Sequence, residues 1–464
     1  MTTLDRMSPV DSYFLYAEDD GVNHMHLGGF AVVEGPPVDH DLLRTMIESK
    51  LDLIPRYRDV VAFVPLHLGR PVWVDDPHFD IDFHVRRTAL PGRGGEDELR
   101  ALIERVMAQR LDRSRPLWEL WIVENVESEN WAVIWKIHHC MVDGVSGTEL
   151  LTVLFDQTPQ PADRQPAPWE PERSPSPAQL AVDAIGDLAR SPYEQGRALR
   201  SALRSPRTLL QHATTALGAG TRLARPNPVS TFNGPVGPSR RYAYSSVPMA
   251  DIKAIRDRLG GTVNDIVLAA LTRAFRDLLV ERGESVEQTI RTLVPVATRT
   301  RTDSGLAVGD GTYTNKAVVI TAELPVGVAD PIERLDLVRQ QMEGLKRSGQ
   351  AEAAGALSQY SDHAPGMLLA LGVRAAARAN QQHVNTTATN VPGPQTPLYL
   401  HGRQLLSMYA YAPLFPVGSR VTTAIYSYNG TLHFGVTGDH ATMPDVDTLA
   451  EGIIRGLDEL TNAH

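Results

Sequence analysis

The chain has 464 residues, of which 42% are hydrophobic and 22% charged, and this length predicts a globular protein of two domains. A formal net charge of −10 argues against a nucleic-acid-binding protein, and no run of about twenty apolar residues predicts a membrane-spanning helix. The single cysteine, Cys140, excludes an internal disulfide and, with an N-terminus unlike a secretory signal, predicts a cytoplasmic protein.

Residues 1–158 alternate between patterns typical of strands and of helices. Predicted strands cover Gly29–Val33, Trp118–Glu124 and Trp131–Ile137, and a predicted helix covers Asp41–Ile47. The last strand is rich in aromatic and β-branched residues, as buried strands are. The mixture predicts an α/β or α+β domain.

Two adjacent histidines follow that last strand in the sequence HHCMVDG, which contains His138, His139, Asp143 and Gly144. Successive side chains on a strand point to opposite faces, so one histidine can act on a substrate while the other supports it. We assign the acting role to His139 and the supporting role to His138. Neighbours on a strand cannot easily hold one ion, and no second ligand cluster lies nearby, so no metal site is predicted.

A histidine at this position is suited to accept a proton near neutral pH. The reaction that needs such a base and little else is attack of a hydroxyl on an acyl thioester, whose carbonyl is already electrophilic. General-base help of this kind contributes about 10²–10⁴-fold in rate. Two adjacent histidines alone are more often ordinary turn residues, but the Asp-Gly that follows makes the pattern much rarer.

The rest of the motif has two interpretations. Asp143 is a candidate third catalytic residue, but an aspartate before Gly and a helix can also cap that helix or pair with an arginine, for example Arg299. Gly144 permits close approach of the backbone. Cys140 lies inside the motif, although nothing except proximity indicates a thiol nucleophile.

Residues 159–230 form a predicted connector, because prolines are dense after Thr158 and prevent regular structure. Its later part is basic and carries leucines at helical spacing. Such a helix either lies on an anionic lipid surface or packs between the two domains. The basic residues are Arg197, Arg200, Arg204, Arg207, Arg222 and Arg225.

Residues 231–464 form the predicted second domain, with a helix from about Asn264 to Leu279 and a hairpin turn at Asn429-Gly430. Asn264 and Asp265 follow a Gly-Gly-Thr-Val sequence and are predicted to cap the helix. The segment Asn390–Pro394 is predicted to form a rigid loop.

Several segments of the chain, including the histidine motif, resemble a known family. HHCMVDG matches the HHxxxDG motif of CoA- and carrier-dependent acyltransferases, and further segments resemble bacterial wax ester synthase/diacylglycerol acyltransferases. Those segments are Ser8–Leu15, Met25–Gly29, Arg115–Glu119, Val263–Ala269 and Thr389–Pro394. They run from the first residues to near the end of the chain.

The resemblance implies two chloramphenicol acetyltransferase-like domains with the active site between them. It implies transfer of a long-chain fatty acyl group from acyl-CoA, a co-substrate rather than a bound cofactor, to diacylglycerol or to a fatty alcohol. It also implies that Asn264 and Asp265 help to form the substrate channel or the domain interface, beside the loop Asn390–Pro394. Two alternatives stay open: a condensation-type acyltransferase that uses a carrier protein, and a non-catalytic lipid-binding or lipid-droplet protein.

Overall fold

The computed structural model describes residues 4–18, 22–142, 149–160, 164–187, 230–297, 317–347, 384–415 and 418–463. Asp143, Gly144, Arg299 and the arginine-rich stretch 197–225 therefore lie outside the described residues.

Strands and helices alternate in the first part of the described chain, as predicted. Its strands are β1 (Asp5–Arg6), β2 (His26–Val33), β3 (Asp59–Ala62), β4 (Val72–Asp75), β5 (Val85–Ala89), β6 (Trp118–Val126) and β7 (Asn130–His138). Its helices are α1 (Pro9–Ala17), α2 (His40–Glu48), α3 (Ile81–His84), α4 (Glu96–Ala108) and α5 (Glu149–Leu154), followed by α6 over residues 177–187.

The second part is organised in the same mixed way. Its strands are β8 (Arg240–Pro248), β9 (Ile290–Ala297), β10 (Ala317–Leu324), β11 (Thr386–Pro392), β12 (Tyr399–Leu400), β13 (Arg403–Tyr411), β14 (Val421–Tyr428) and β15 (Thr431–Asp439). Its helices are α7 (Met249–Leu259), α8 (Val263–Glu281), α9 (Pro331–Arg347) and α10 (Val446–Asn462).

The strands form two six-stranded sheets, in the orders β12-β13-β2-β7-β6-β5 and β10-β9-β11-β14-β15-β8, and a three-stranded sheet β1-β4-β3. The strands β12 and β13 come from the region 231–464 but complete the first sheet. The boundaries predicted along the sequence therefore do not coincide with the division between the sheets. The strand β13 also contacts the second sheet, where the hydroxyl of Tyr242 donates to the carbonyl of Ala410 at 2.7 Å.

The helix α8 confirms the predicted helix and shows how it is capped. The N-cap is Thr262, whose side chain accepts from the amide of Asp265, while the Asp265 carboxylate accepts from the Thr262 amide. This reciprocal pair satisfies two amides that a helix start leaves free. The cap is therefore Thr262 with Asp265, and Asn264 lies within the first turn. The helix packs closely on α10, where glycines lie against Ala270 and Ala274.

The predicted hairpin at Asn429-Gly430 is confirmed, since it joins the antiparallel strands β14 and β15. Both turn residues have positive φ, 45° for Asn429 and 77° for Gly430. A two-residue turn of this kind matches the twist of its strands and favours Asn-Gly.

The prediction of a loop over Asn390–Pro394 was wrong for its first part. The strand β11 runs to Pro392 and pairs in parallel with β14 along its whole length, whereas it pairs with β9 only through Thr386 and Thr387. Proline lacks an amide hydrogen, so it is tolerated at a strand end that has one ladder neighbour. The loop begins at Gly393, where a side chain would overlap the Ser427 carbonyl.

The connector is partly packed against the first part of the molecule. Residues 164–176 have no regular secondary structure in the described chain, which agrees with the proline-rich prediction, but α6 follows them. Trp169 lies under the Arg58 guanidinium, 5.1 Å from it, and Leu180 and Ala184 are buried. Among the helices that the structure describes, none is long and apolar enough to cross a membrane.

Candidate active site

The end of β7 presents the two motif histidines. His138 is the last residue of β7 and pairs with His26 of β2, and a 3-10 turn, His139–Met141, begins immediately afterwards. The His138 amide donates to the carbonyl of Leu117 at 2.9 Å, and the His139 amide donates to the carbonyl of Met25 at 2.7 Å. The carbonyls of Leu117 and Met25 therefore hold the backbone of the motif.

The His138 side chain is buried, with a hydrogen bond at Nδ1 and a carboxylate near Nε2. Its Nδ1 accepts from the Cys140 amide at 3.1 Å and lies 2.9 Å from the Cys140 Sγ. Its Nε2 lies 3.4 Å from Oε1 of Glu18. A ring nitrogen that accepts from an amide carries no proton, so Nε2 is the protonated nitrogen of His138 and faces Glu18.

The His139 ring stacks on Phe14 of α1, with ring centroids 3.7 Å apart and planes 15° from parallel. Its Nδ1 is buried and has no hydrogen-bond partner in the described structure. Burial lowers the pKa of His139 to about 4. The imidazole is therefore neutral at pH 7 and can accept a proton.

Two further buried histidines share this shift, and together they predict acid sensitivity. Burial lowers the pKa of His24, His139 and His433 to about 4, from 6.5. The unfolded chain binds protons at these residues first, so stability holds above pH 6.5 and falls as the pH drops from 6.5 toward 4. We expect the melting temperature to fall across that window, while kcat/KM shows no acid limb near pH 6.5. A melting temperature that is constant from pH 7 to 4.5, or an acid limb at 6.5, would contradict these pKa values.

A buried carboxylate, Glu18, lies beside the motif and was not predicted from the sequence. Its Oε1 accepts from the Met25 amide at 2.7 Å, and its Oε2 lies 3.1 Å from Arg113 and 3.6 Å from Arg110. Burial alone would raise the pKa of Glu18, but its contacts with His138 and the Met25 amide hold the pKa well below its usual range. The only signal in the sequence is its position, three residues after the segment Ser8–Leu15.

Cys140 is buried, and burial raises the pKa of its thiol well above the usual range, an effect that the charges of Asp11 and Glu18 reinforce. The thiolate is the nucleophilic form of cysteine, so a thiol with this pKa is a poor nucleophile at neutral pH.

Asn264 and Asp265 lie at the start of α8. Asn264 accepts from the side chain of Asn390 at 3.3 Å, which joins the segments Val263–Ala269 and Thr389–Pro394. Asp265 is occupied in the helix cap. In the described structure neither residue makes a hydrogen bond with His138 or His139. The described residues also contain no group of three His, Cys, Asp or Glu side chains that could hold a metal ion.

Two six-stranded sheets with a histidine at the end of a central strand define a two-domain acyltransferase fold, as predicted. The starter condensation domain of rhizomide synthetase has this fold, with a TM-score of 0.61 and 13% identity over 99% of this chain and 95% of that chain. The wax ester synthase/diacylglycerol acyltransferase of Marinobacter aquaeolei is similar, with a TM-score of 0.68 and 26% identity over 98% of each chain.

The sequence comparisons give the family. Residues 7–267 match the wax ester synthase/diacylglycerol acyltransferase catalytic domain, and residues 313–461 match the C-terminal domain of the same family. A Mycobacterium tuberculosis protein named "Probable diacylglycerol O-acyltransferase" is 34% identical over 452 residues, 97% of this chain and 94% of that protein. The chain belongs to the wax ester synthase/diacylglycerol acyltransferase family.

Proposed function

We propose that this acyltransferase moves a long-chain fatty acyl group from acyl-CoA to the hydroxyl of diacylglycerol and forms triacylglycerol. A fatty alcohol, which would give a wax ester, is the second acceptor. The observation that carries the proposal is the position of His139, directly after β7 and stacked on Phe14 as a neutral imidazole, in a family of O-acyltransferases.

His139 is the general base of the proposed reaction. It takes the proton of the acceptor hydroxyl as that oxygen attacks the thioester carbonyl. The carbon–sulfur bond then breaks, and the departing CoA sulfur takes the proton back from His139. No acyl-enzyme forms, so both substrates are bound together.

The other predicted site residues have supporting roles in this proposal. His138 holds the turn that carries His139, through its contact with the Cys140 amide. Asp143, Gly144 and Arg299 lie outside the described residues, and their supporting roles stay predictions from the sequence. Asn264 and Asp265 support the wall of the channel, where Asn264 contacts Asn390.

The names of the relatives support both acceptors. The M. tuberculosis relative is named for diacylglycerol, and the Marinobacter relative for wax esters as well. Each methylene buried in an apolar channel contributes about 0.8 kcal/mol, so long chains bind with few polar contacts. Nothing in the comparisons favours a carrier protein or a non-catalytic role over this reaction.

A direct assay tests the proposal. Purified protein is given radiolabelled palmitoyl-CoA with either diacylglycerol or hexadecanol, and the products are separated by thin-layer chromatography. We expect triacylglycerol as the main product and wax ester as the lesser one. Acyl-CoA binding without any ester would favour the lipid-binding alternative, and transfer only from a carrier-bound acyl group would favour the condensation alternative.

We also propose that the enzyme works at the cytoplasmic face of a lipid surface, because its acceptor and product are insoluble in water. The arginine-rich stretch 197–225 is the proposed contact. The helix α6 precedes it in sequence and leaves Val182 and Ile185 exposed, at 69% and 55%.

Replacement of Arg197, Arg200, Arg204 and Arg207 by Gln should release the protein from anionic liposomes. Each basic residue contributes on the order of 1 kcal/mol to such binding, and salt screens it. Liposome sedimentation at two salt concentrations measures the effect, and the matched Arg→Lys variant should still sediment. Unchanged sedimentation of the Gln variant would show that the stretch only joins the two domains.

A further inference from the structure

The Glu18 carboxylate connects to both motif histidines by separate routes. Its first route is direct, because Oε1 lies 3.4 Å from Nε2 of His138. This contact and the Cys140 amide together favour one tautomer of His138. In that tautomer Nδ1 accepts the hydrogen bond and Nε2 carries the proton. In this tautomer Nδ1 of His138 holds the Cys140 amide, and therefore the start of the turn that carries His139.

The second route runs through Met25. Oε1 of Glu18 accepts from the Met25 amide at 2.7 Å, and the Met25 carbonyl accepts from the His139 amide at 2.7 Å. Two strong hydrogen bonds therefore lie in series between Glu18 and the backbone of His139. Backbone atoms held in this way leave the His139 side chain little freedom to move.

The arginines complete the arrangement on the other side of the carboxylate. Arg113 donates to Oε2 of Glu18 at 3.1 Å and to the Leu15 carbonyl at 2.7 Å, and Arg110 donates to the Glu18 carbonyl at 2.9 Å. These contacts fix the C-terminal end of α1. The same helix supplies Phe14, which stacks on the His139 ring.

We propose that Glu18 is a positioning residue of the acyl-transfer site. Its carboxylate holds His138 as the Nε2-protonated tautomer, holds Met25 against the His139 amide and keeps Phe14 over the His139 ring. Glu18 acts on the reaction through these groups and touches neither substrate. The proposal rests on the proposed function, because it assigns His139 the role of base.

The substitution Glu18→Gln tests this role with little change in shape. Oε1 faces two donors, the Met25 amide and His138 Nε2, and Oε2 faces Arg113 and Arg110. A glutamine places its NH2 against donors in either orientation. We expect kcat to fall by about 100-fold, as for a small misplacement of a reacting group, with little change in KM for acyl-CoA. Glu18→Asp keeps the charge and should recover part of the loss.

The matched control is Glu119→Gln. Glu119 is also a buried carboxylate, 3.2 Å from Arg86 and 3.5 Å from Lys136, but it makes no hydrogen bond with either motif histidine among the described contacts. This variant should lose melting temperature to a similar extent and keep kcat. Equal losses of kcat in the two variants would overturn the positioning role and leave only a structural one.

The tautomer itself gives a second readout that does not depend on turnover. In protein labelled with 15N-histidine, long-range nitrogen–proton NMR should show the Nε2-protonated form of His138, with the signal assigned by a His138→Gln variant. Glu18→Gln should raise the population of the other tautomer, because only the Cys140 amide then favours protonation at Nε2. An Nδ1-protonated His138 in the wild type would overturn the proposal, even if a substituted protein failed to fold. Absence of any ester product from the wild type would instead contradict the proposed function.

Discussion

His139→Ala should lower kcat for ester formation by about 10²–10⁴-fold, the usual contribution of a general base. We expect kcat to fall and acyl-CoA binding to be retained. In the described structure the His139 ring stacks on Phe14 and its buried Nδ1 makes no hydrogen bond, so the substitution breaks no hydrogen bond at that nitrogen. Steady-state kinetics with palmitoyl-CoA and diacylglycerol measure the effect, and circular dichroism checks the fold. His138→Ala should also lose activity, but with a lower melting temperature, because the Cys140 amide loses its acceptor.

The matched control is Cys140→Ala, which alters the neighbouring buried residue and should keep substantial activity. A well-folded His139→Ala protein with full activity would contradict the assignment of the base. A stoichiometric acyl adduct on Cys140 during turnover, seen by mass spectrometry, would replace the one-base mechanism with a covalent one.

Gly29→Val should be the most destabilising of the single substitutions considered, at about 3 kcal/mol, because overpacking of a tight interior forces the backbone to shift. Gly29 lies in β2 between β13 and β7, and an added Cβ would overlap the Tyr409 carbonyl on one side and the Trp135 ring on the other. Thermal unfolding measures the loss. Met25 immediately precedes this strand and His26 begins it, both beside the motif, so activity should fall with the fold.

Gly344→Ala is the control for this prediction. Gly344 lies in α9, and an added Cβ would meet nothing within 4 Å. Alanine is favoured over glycine in a helix by about 1 kcal/mol, so this variant should be as stable as the wild type or more stable. A Gly29→Val protein as stable as Gly344→Ala would show that β2 does not approach its neighbours as closely as the structure has it.

The local parts of the fold could be predicted from the sequence because local residues determine them. Asn429-Gly430 favours a tight turn through its own backbone preferences, and the apolar run Trp131–Ile137 indicates a buried strand. The motif position at the end of that strand follows from the same pattern. The family segments then identify the two-domain acyltransferase fold, since they span the chain.

The long-range parts could not be predicted, because they depend on which segments meet after folding. Nothing within Arg403–Tyr411 indicates that this strand joins the first sheet rather than the second. Glu18 cannot be told from other acidic residues until α1 folds against Met25 and Arg113. Pro392 indicated a loop, but the pairing of its strand on one side tolerates a proline.

The measurement that tests the central claim most directly follows thioester cleavage and ester formation in the same reaction. Release of the CoA thiol and formation of labelled triacylglycerol are recorded together, for the wild type and for His139→Ala. Direct transfer by a single base predicts one ester formed for each CoA released, with both rates falling together in the variant. CoA release without matching ester, or a variant as fast as the wild type, would contradict acyl transfer through His139.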